Sequence, residues 1–161
     1  MKNTDLTKNF QVESRWEDFN GHMNVTGYLH YFNAAVVLFF EKVGFGRTGI
    51  EEDRGSFFAA QQQLSYFKEV HPGAHITITL NLLEMDRKGL HFWLAMREAE
   101  SDTLVATMES IAIYVDMDNR RSKTIPAHKN PALEQILKTC ADTPIPAHIG
   151  AGLGLNRKKA S

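Results

Sequence analysis

Residues 26–43 read TGYLHYFNAAVVLFFEKV, and this stretch decides the fold. Tyr28, Phe32, Ala35, Val36, Phe39, Phe40 and Val43 recur at three- and four-residue steps, the period of an α-helix. Leu29, Val37 and Leu38 fill most of the remaining circumference, and a helix apolar nearly all round is one wrapped on several sides. Asn24 or Thr26 caps its start, and Gly44 stands where helices end in a left-handed residue.

On the N-terminal side, residues 10–16 (FQVESRW) alternate partly and predict a first strand, followed by a polar loop over residues 17–24 (EDFNGHMN). On the C-terminal side, residues 46–55 read as a polar connection. Strand patterns then occupy residues 57–70, 75–85, 91–99 and 104–115. Pro72-Gly73, Asp86 to Gly89 and Ser101-Asp102 separate them. These are hairpin-type connections, which predict antiparallel neighbours. Pro126, Pro131, Pro144 and Pro146 break up the remainder around a short helix at 130–139. The predicted class is α+β: one long central helix wrapped by a curved five-strand antiparallel sheet. Residues 1–146 form one domain and the Gly-rich, then basic, 147–161 a loosely held tail. Such a sheet leaves a long edge strand, so a homodimer or a dimer of dimers is expected.

Composition narrows the function. In 161 residues, 18 Lys and Arg face 19 Asp and Glu, with no run of like charge, which disfavours a nucleic-acid partner. The one cysteine, Cys140, makes neither an intrachain disulfide nor a Cys-rich metal site. His71 and His75 flank Pro72-Gly73 and so share no helix face, and no His-x-x-x-His lies on the long helix; no metal is expected. The longest apolar run, residues 34–40, is far too short to span a membrane, and the start, MKNTDLTKNF, has no apolar signal core. A cytoplasmic enzyme or binding domain is the expectation.

The loop Trp16-Glu-Asp-Phe-Asn-Gly-His-Met-Asn24, followed by Tyr28, Phe32 and Glu41-x-x-Gly44, resembles the hotdog-fold acyl-CoA thioesterases of the 4-hydroxybenzoyl-CoA thioesterase-like type. The likeness runs over about residues 10–127, to Arg121-x-x-x-Ile125-Pro126. The phrases EDFNGHMN, Leu64-Ser-Tyr66-x-x-Glu69 and Ala106-Thr-x-Glu109 are most similar to the betainyl-CoA, or carnitine-operon, thioesterases. The resemblance implies hydrolysis of a small acyl-CoA, betainyl-CoA being one candidate, with no cofactor beyond the CoA of the substrate.

Thioester hydrolysis needs a carboxylate that attacks the carbonyl or activates water, and donors where the oxyanion develops. A loop feeding a helix start supplies free amides. The resemblance puts the acid three residues before the loop glycine, at Asp18 before Gly21, and the donating amide near Val25. The competing reading of Asp18 is a solvated Asx turn. Asn20 fixes the loop or orients water. His22 braces the loop or acts as a base, and Asn24 caps the helix or contacts substrate. Tyr28 and Tyr66 are candidate substrate contacts, with Phe67 and residues 61–63 (QQQ) beside them. Glu69 is a further carboxylate, and Glu41 reads as a cap or a solvated acid. Arg120, Arg121 and Lys123 form the compact basic group offered to the CoA phosphates, with Lys68, Arg87 and Lys88 as other cations. His30 and His91 read as surface or partly buried histidines.

Two other functions compete. Enoyl-CoA hydratases of this fold carry Asp-x-Asn-Pro-x-His, whereas Asp18-Phe19-Asn20-Gly21-His22 lacks the proline and has its histidine one place early. A non-catalytic acyl-CoA-binding or sensing domain would need an effector such as a helix-turn-helix, and none is legible before residue 10.

Overall fold

A computed structural model describes residues 6–155 of the chain. Strand β1 (Thr7–Gln11) leads through a 3-10 turn (Ser14–Trp16) and the polar loop into helix α1 (Val25–Lys42). A short helix α2 (Arg47–Asp53) precedes strands β2 (Gly55–Tyr66), β3 (His75–Met85), β4 (Gly89–Glu98) and β5 (Leu104–Asp116), and helix α3 (Asn130–Cys140) follows. All pairings are antiparallel, and the sheet order is β1-β3-β4-β5-β2. One helix lies across one five-strand antiparallel sheet, which is the hotdog architecture the sequence implied.

Asn24 rather than Thr26 caps α1, its side chain accepting from the Gly27 amide at 3.0 Å. Tyr28, Tyr31, Phe32, Ala35 and Phe39 point into the core, which joins them to Ile76, Ile78, Leu80, Leu94, Met96 and Met108 on one face of the sheet. Leu133 and Ile136 of α3 close the same core.

Four expectations are corrected. The strand pattern at 10–16 is displaced: β1 ends at Gln11, and residues 14–16 turn instead, because Tyr31 Oη accepts from Glu13 N and donates to Gln11 O, tying that stretch to α1. The Pro72-Gly73 turn does not fold β2 onto β3. Gly73 N donates to Val12 O and Met23 N to Val70 O, so the turn docks on the N-terminal loop, while β2 crosses the molecule to pair with β5. The connection at 46–55 holds α2. Its N-terminus is capped from outside, since Glu41 Oε1 accepts from Arg47 N at 3.1 Å; Glu41 is thus a cap, of α2 and not of its own helix. Finally, α1 is not wrapped all round, because five strands cover only one side; Val25, Leu29, Val37 and Leu38 remain exposed.

Residues 147–155 of the expected tail lie against the outer face of the sheet, and 156–161 fall outside the described residues. Gly150 N donates to Glu109 Oε1 at 2.9 Å, and Ile149 packs with Trp93 and Ala95. Among the described residues no helix is long and apolar enough to cross a membrane.

α2 is a close-tolerance joint. Buried Lys129 donates to Gly44 O and lies 2.7 Å from Asp53 Oδ2, so it holds both helix ends. A Cβ on Gly49 would sit 2.0 Å from the Gly44 carbonyl oxygen and 2.7 Å from Lys129 Nζ. The first obstacle is backbone and cannot rotate away. Gly49→Ala is expected to cost about 2–3 kcal/mol, read as a fall in the urea midpoint without a change in slope; an unchanged midpoint would show that α2 shifts freely.

Candidate active site

The loop before α1 is short and tightly closed. Glu17 and Met23 form an antiparallel bridge, Asp18 N donates to His22 O, and Gly21 N donates to Asp18 O. Gly21 takes φ +78°, a conformation L side chains rarely adopt, so a glycine is needed where this turn reverses. His71, from the turn after β2, donates from Nδ1 to Gly21 O at 2.9 Å and braces the loop from outside.

Asp18 Oδ1 accepts from Asn20 N at 2.8 Å, and Oδ2 lies 3.3 Å from Asn20 Nδ2. The Asx turn and the catalytic reading are therefore compatible, since a carboxylate has about four lone-pair sites and these contacts take two. His22 donates from Nδ1 to the carbonyl of neighbouring Met23 at 3.3 Å, which suits bracing. Asn24 spends its side-chain oxygen on Gly27 N. The amides of Val25 and Thr26, in the first turn, have no intrahelical carbonyl to bond.

Asp18, Asn20, His22, Asn24, Val25 and Tyr28 share one cleft of about 410 Å³ with Tyr66, Phe67, Lys68 and Glu69. The second group arrives from the end of β2, some forty residues away. Tyr28 is buried and donates to Lys68 O at 3.2 Å, and its ring meets that of Tyr66 at 5.1 Å and 74°. Burial pushes both phenols above their ordinary range, so both are neutral donors and surfaces, not bases.

The basic group does not join this cleft within the chain. Tyr66 is opposite Ala106 and Gly55 opposite Asp116, so the turn after Asp116 lies at the far end of β2, a strand about 35–40 Å long. There Lys123 Nζ donates to Asp53 O and Arg54 O and sits 3.4 Å from Asp116 Oδ2, which makes it a tie for the end of α2. Arg120 lies over the Phe58 ring, and Arg121 follows it on the exposed turn. Lys88 bonds Ser122, and the Lys68 ammonium reaches Glu98 at 3.4 Å.

A second cavity of about 430 Å³ runs along the C-terminal half of α1, lined by Val36, Val37, Phe40, Phe57 and Gln62 among others. Of the carboxylates lining it, Glu41 accepts from Arg47 N and Glu51 lies on α2. Sequence reasoning missed the loop brace at His71. It also missed the burial of His91, whose Nε2 lies 2.7 Å from Glu109 Oε1 on the outer face. His91 and Glu109 meet across the β4–β5 hairpin, and His71 reaches Gly21 from the turn after β2. Among the described residues no group of three or more His, Cys, Asp or Glu side chains is arranged to hold a metal ion.

Residues 12–138 match the family model described as "Thioesterase-like superfamily". The "Betainyl-CoA thioesterase" of Pseudomonas aeruginosa is 27% identical over 144 residues, covering 89% of this chain and 91% of that protein. The "L-carnitine dehydrogenase/betainyl-CoA thioesterase" of Ruegeria pomeroyi is 31% identical over 147 residues, or 88% of this chain, which spans only 29% of that longer protein. Among solved structures, a Staphylococcus aureus protein in complex with CoA superposes with TM-score 0.87 at 24% identity, over 96% of this chain and 98% of the other. A 1,4-dihydroxy-2-naphthoyl-CoA thioesterase from Synechocystis superposes with TM-score 0.70 at 15% identity, over 88% and 98%. At these identities the structures speak for the fold.

Proposed function

The chain belongs to the Thioesterase-like superfamily, and on that premise we propose that it hydrolyses a small acyl-CoA thioester to the free acid and CoA, betainyl-CoA being the first candidate. One observation carries the reading: Asp18 shares a cleft with the amide end of α1. In the proposed reaction the thioester carbonyl lies between them. The Asp18 carboxylate attacks the carbonyl carbon or takes a proton from the attacking water. The amides at Val25 and Thr26 receive the developing oxyanion, where the helix start adds partial positive charge. The C–S bond then breaks and CoA leaves as the thiol, protonated from Asp18 where water attacks; where Asp18 itself attacks, the thiolate takes a solvent proton and water then hydrolyses the acyl–Asp18 anhydride to the free acid. Asn20 holds Asp18 in place, and His22 braces the loop. The reaction calls for no cofactor beyond the CoA of the substrate. The expected location is the cytoplasm, where CoA esters are at hand.

The working unit is proposed to be a homodimer or a dimer of dimers. β2 is a twelve-residue edge strand whose residues 58–63 are exposed, and Val25, Leu29, Val37 and Leu38 of α1 lie uncovered beside it. Phe19, next to the acid, is 97% exposed. Two-fold pairing of this edge with a second copy runs the strands antiparallel. It would carry the 120–123 turn of the second copy toward the Asp18 end of the first, and so supply CoA-facing cations that one subunit lacks there. Sedimentation is expected to give a dimer or larger at assay concentration; a fully active monomer on dilution would reject this arrangement.

A panel of acyl-CoAs, with betainyl-CoA beside neutral short-chain, enoyl and aryl thioesters, tests the activity by release of free thiol. Thiol release is expected. Loss of enoyl absorbance without thiol would mean hydration, and binding with neither would mean a sensor.

A further inference from the structure

Within one chain, the charges lining the Asp18 cleft are unbalanced. Two carboxylates, Asp18 and Glu69, line it together with one ammonium, that of Lys68, and the ammonium is turned to Glu98. His22 points its Nδ1 at the Met23 carbonyl, and His71, near Glu69 at 3.5 Å, donates its other nitrogen to Gly21 O. Two aromatic rings line the same cleft and meet edge to face at 74°, forming a corner of buried Tyr28 and 47% exposed Tyr66. The Glu69 charge is felt at the Tyr28 phenol, where it adds to the upward shift caused mainly by burial. Aromatic faces beside a carboxylate attract an onium group, whose charge is spread over alkyl groups and weakly hydrated.

We infer that Glu69, with the Tyr28–Tyr66 corner, selects an acyl group that carries a positive charge next to the thioester. The inference rests on the thioesterase reading above and names the specificity residues of the same cleft. In an α-ammonio thioester a single methylene separates the cationic nitrogen from the reacting carbon. A carbonyl held against Asp18 therefore puts the cation inside this cleft and within the field of Glu69. Glu69 is exposed and screened in the free protein. A bound acyl group displaces that water, and the attraction strengthens as the local dielectric falls. The same field opposes acyl groups with a free carboxylate.

The test compares betainyl-CoA with tert-butylacetyl-CoA, which has carbon in place of nitrogen and nearly the same shape. The quantity read is the ratio of kcat/KM for the two, in wild type, Glu69→Gln and Tyr66→Leu. Comparing variants cancels the greater intrinsic reactivity of the cationic thioester, and structural damage lowers both substrates alike. The ratio is expected to fall about tenfold in Glu69→Gln and also to fall in Tyr66→Leu. A ratio within twofold of wild type in Glu69→Gln overturns the assignment while leaving hydrolysis intact. If wild-type protein releases thiol from neither compound but does so from another acyl-CoA of the panel, this inference fails and the thioesterase reading stands; release from none of the panel ends both.

Discussion

Asp18→Asn is expected to lower kcat for thioester hydrolysis by about 10²–10⁴-fold, the span typical of a positioned acid–base group. The substitution keeps the shape of the side chain and its acceptor toward Asn20 N. The two backbone bonds that close the loop, Asp18 N to His22 O and Gly21 N to Asp18 O, do not involve the side chain. Stability should therefore change by less than about 1 kcal/mol. KM should move little, since the acid meets the reacting carbonyl and not the CoA handle. His22→Ala is the control. A loop brace costs less than tenfold, whereas a general base at His22 would make that variant the more damaged of the two. A single turnover in heavy-oxygen water bears on the two roles open to Asp18: Asp18 oxygen in the acid product, or solvent oxygen left on Asp18, marks direct attack through an anhydride opened at the Asp18 carbon, whereas general-base catalysis puts solvent oxygen in the product and none on Asp18. Near wild-type kcat in a folded, ligand-binding Asp18→Asn protein would remove Asp18 from the chemistry.

The parts of this site differ in how far the sequence reveals them. Asp18, Asn20, His22, Asn24 and Val25 lie within eight consecutive residues, and a polar loop entering an apolar helix is a local pattern. Tyr66 ends β2 and Glu69 lies just after it, and no local signal says that this end of the strand returns to the loop. The same division runs through the fold. α1 and β3 are legible because their periods are long and clean; the bounds of β3 match the sequence pattern, and those of α1 differ by one residue at each end. The β3–β4 and β4–β5 hairpins follow from short polar turns. The β2–β5 pairing joins segments about fifty residues apart, and the Pro72-Gly73 turn imitates a hairpin because turn chemistry fixes only the local reversal, not the partner. α2 escapes notice because its cap, Glu41, comes from another helix and not from the residue before it.

The outer face carries a second expected effect, on stability. Glu109 is fully buried, with Oε1 2.7 Å from His91 Nε2 and also accepting from Gly150 N. His91 is 5% exposed, with Glu84 Oε2 4.0 Å from its other nitrogen. Glu109→Ala strips the imidazole and the Gly150 amide of their acceptor together. Removing one member of a buried polar pair typically costs about 3–5 kcal/mol, some 6–20 °C in Tm for a chain of this size. Glu109 Oε2 has no hydrogen-bond partner among the described residues, so the pair itself is held against an unrecovered desolvation cost. His91→Leu with Glu109→Leu is accordingly expected to be more stable than Glu109→Ala, because it leaves the imidazole's site apolar as well. The Gly150 amide remains without its acceptor in both, so the segment at 148–150 should exchange its amide protons faster in both, even where the double variant regains Tm. A Glu109→Ala protein with unchanged Tm and unchanged exchange at Gly150 would mean that neither bond contributes. Kinetic constants per folded enzyme should hold in all these variants, since β5 turns Glu109 to the side of the sheet opposite α1, and the Asp18 cleft draws no residue from that face.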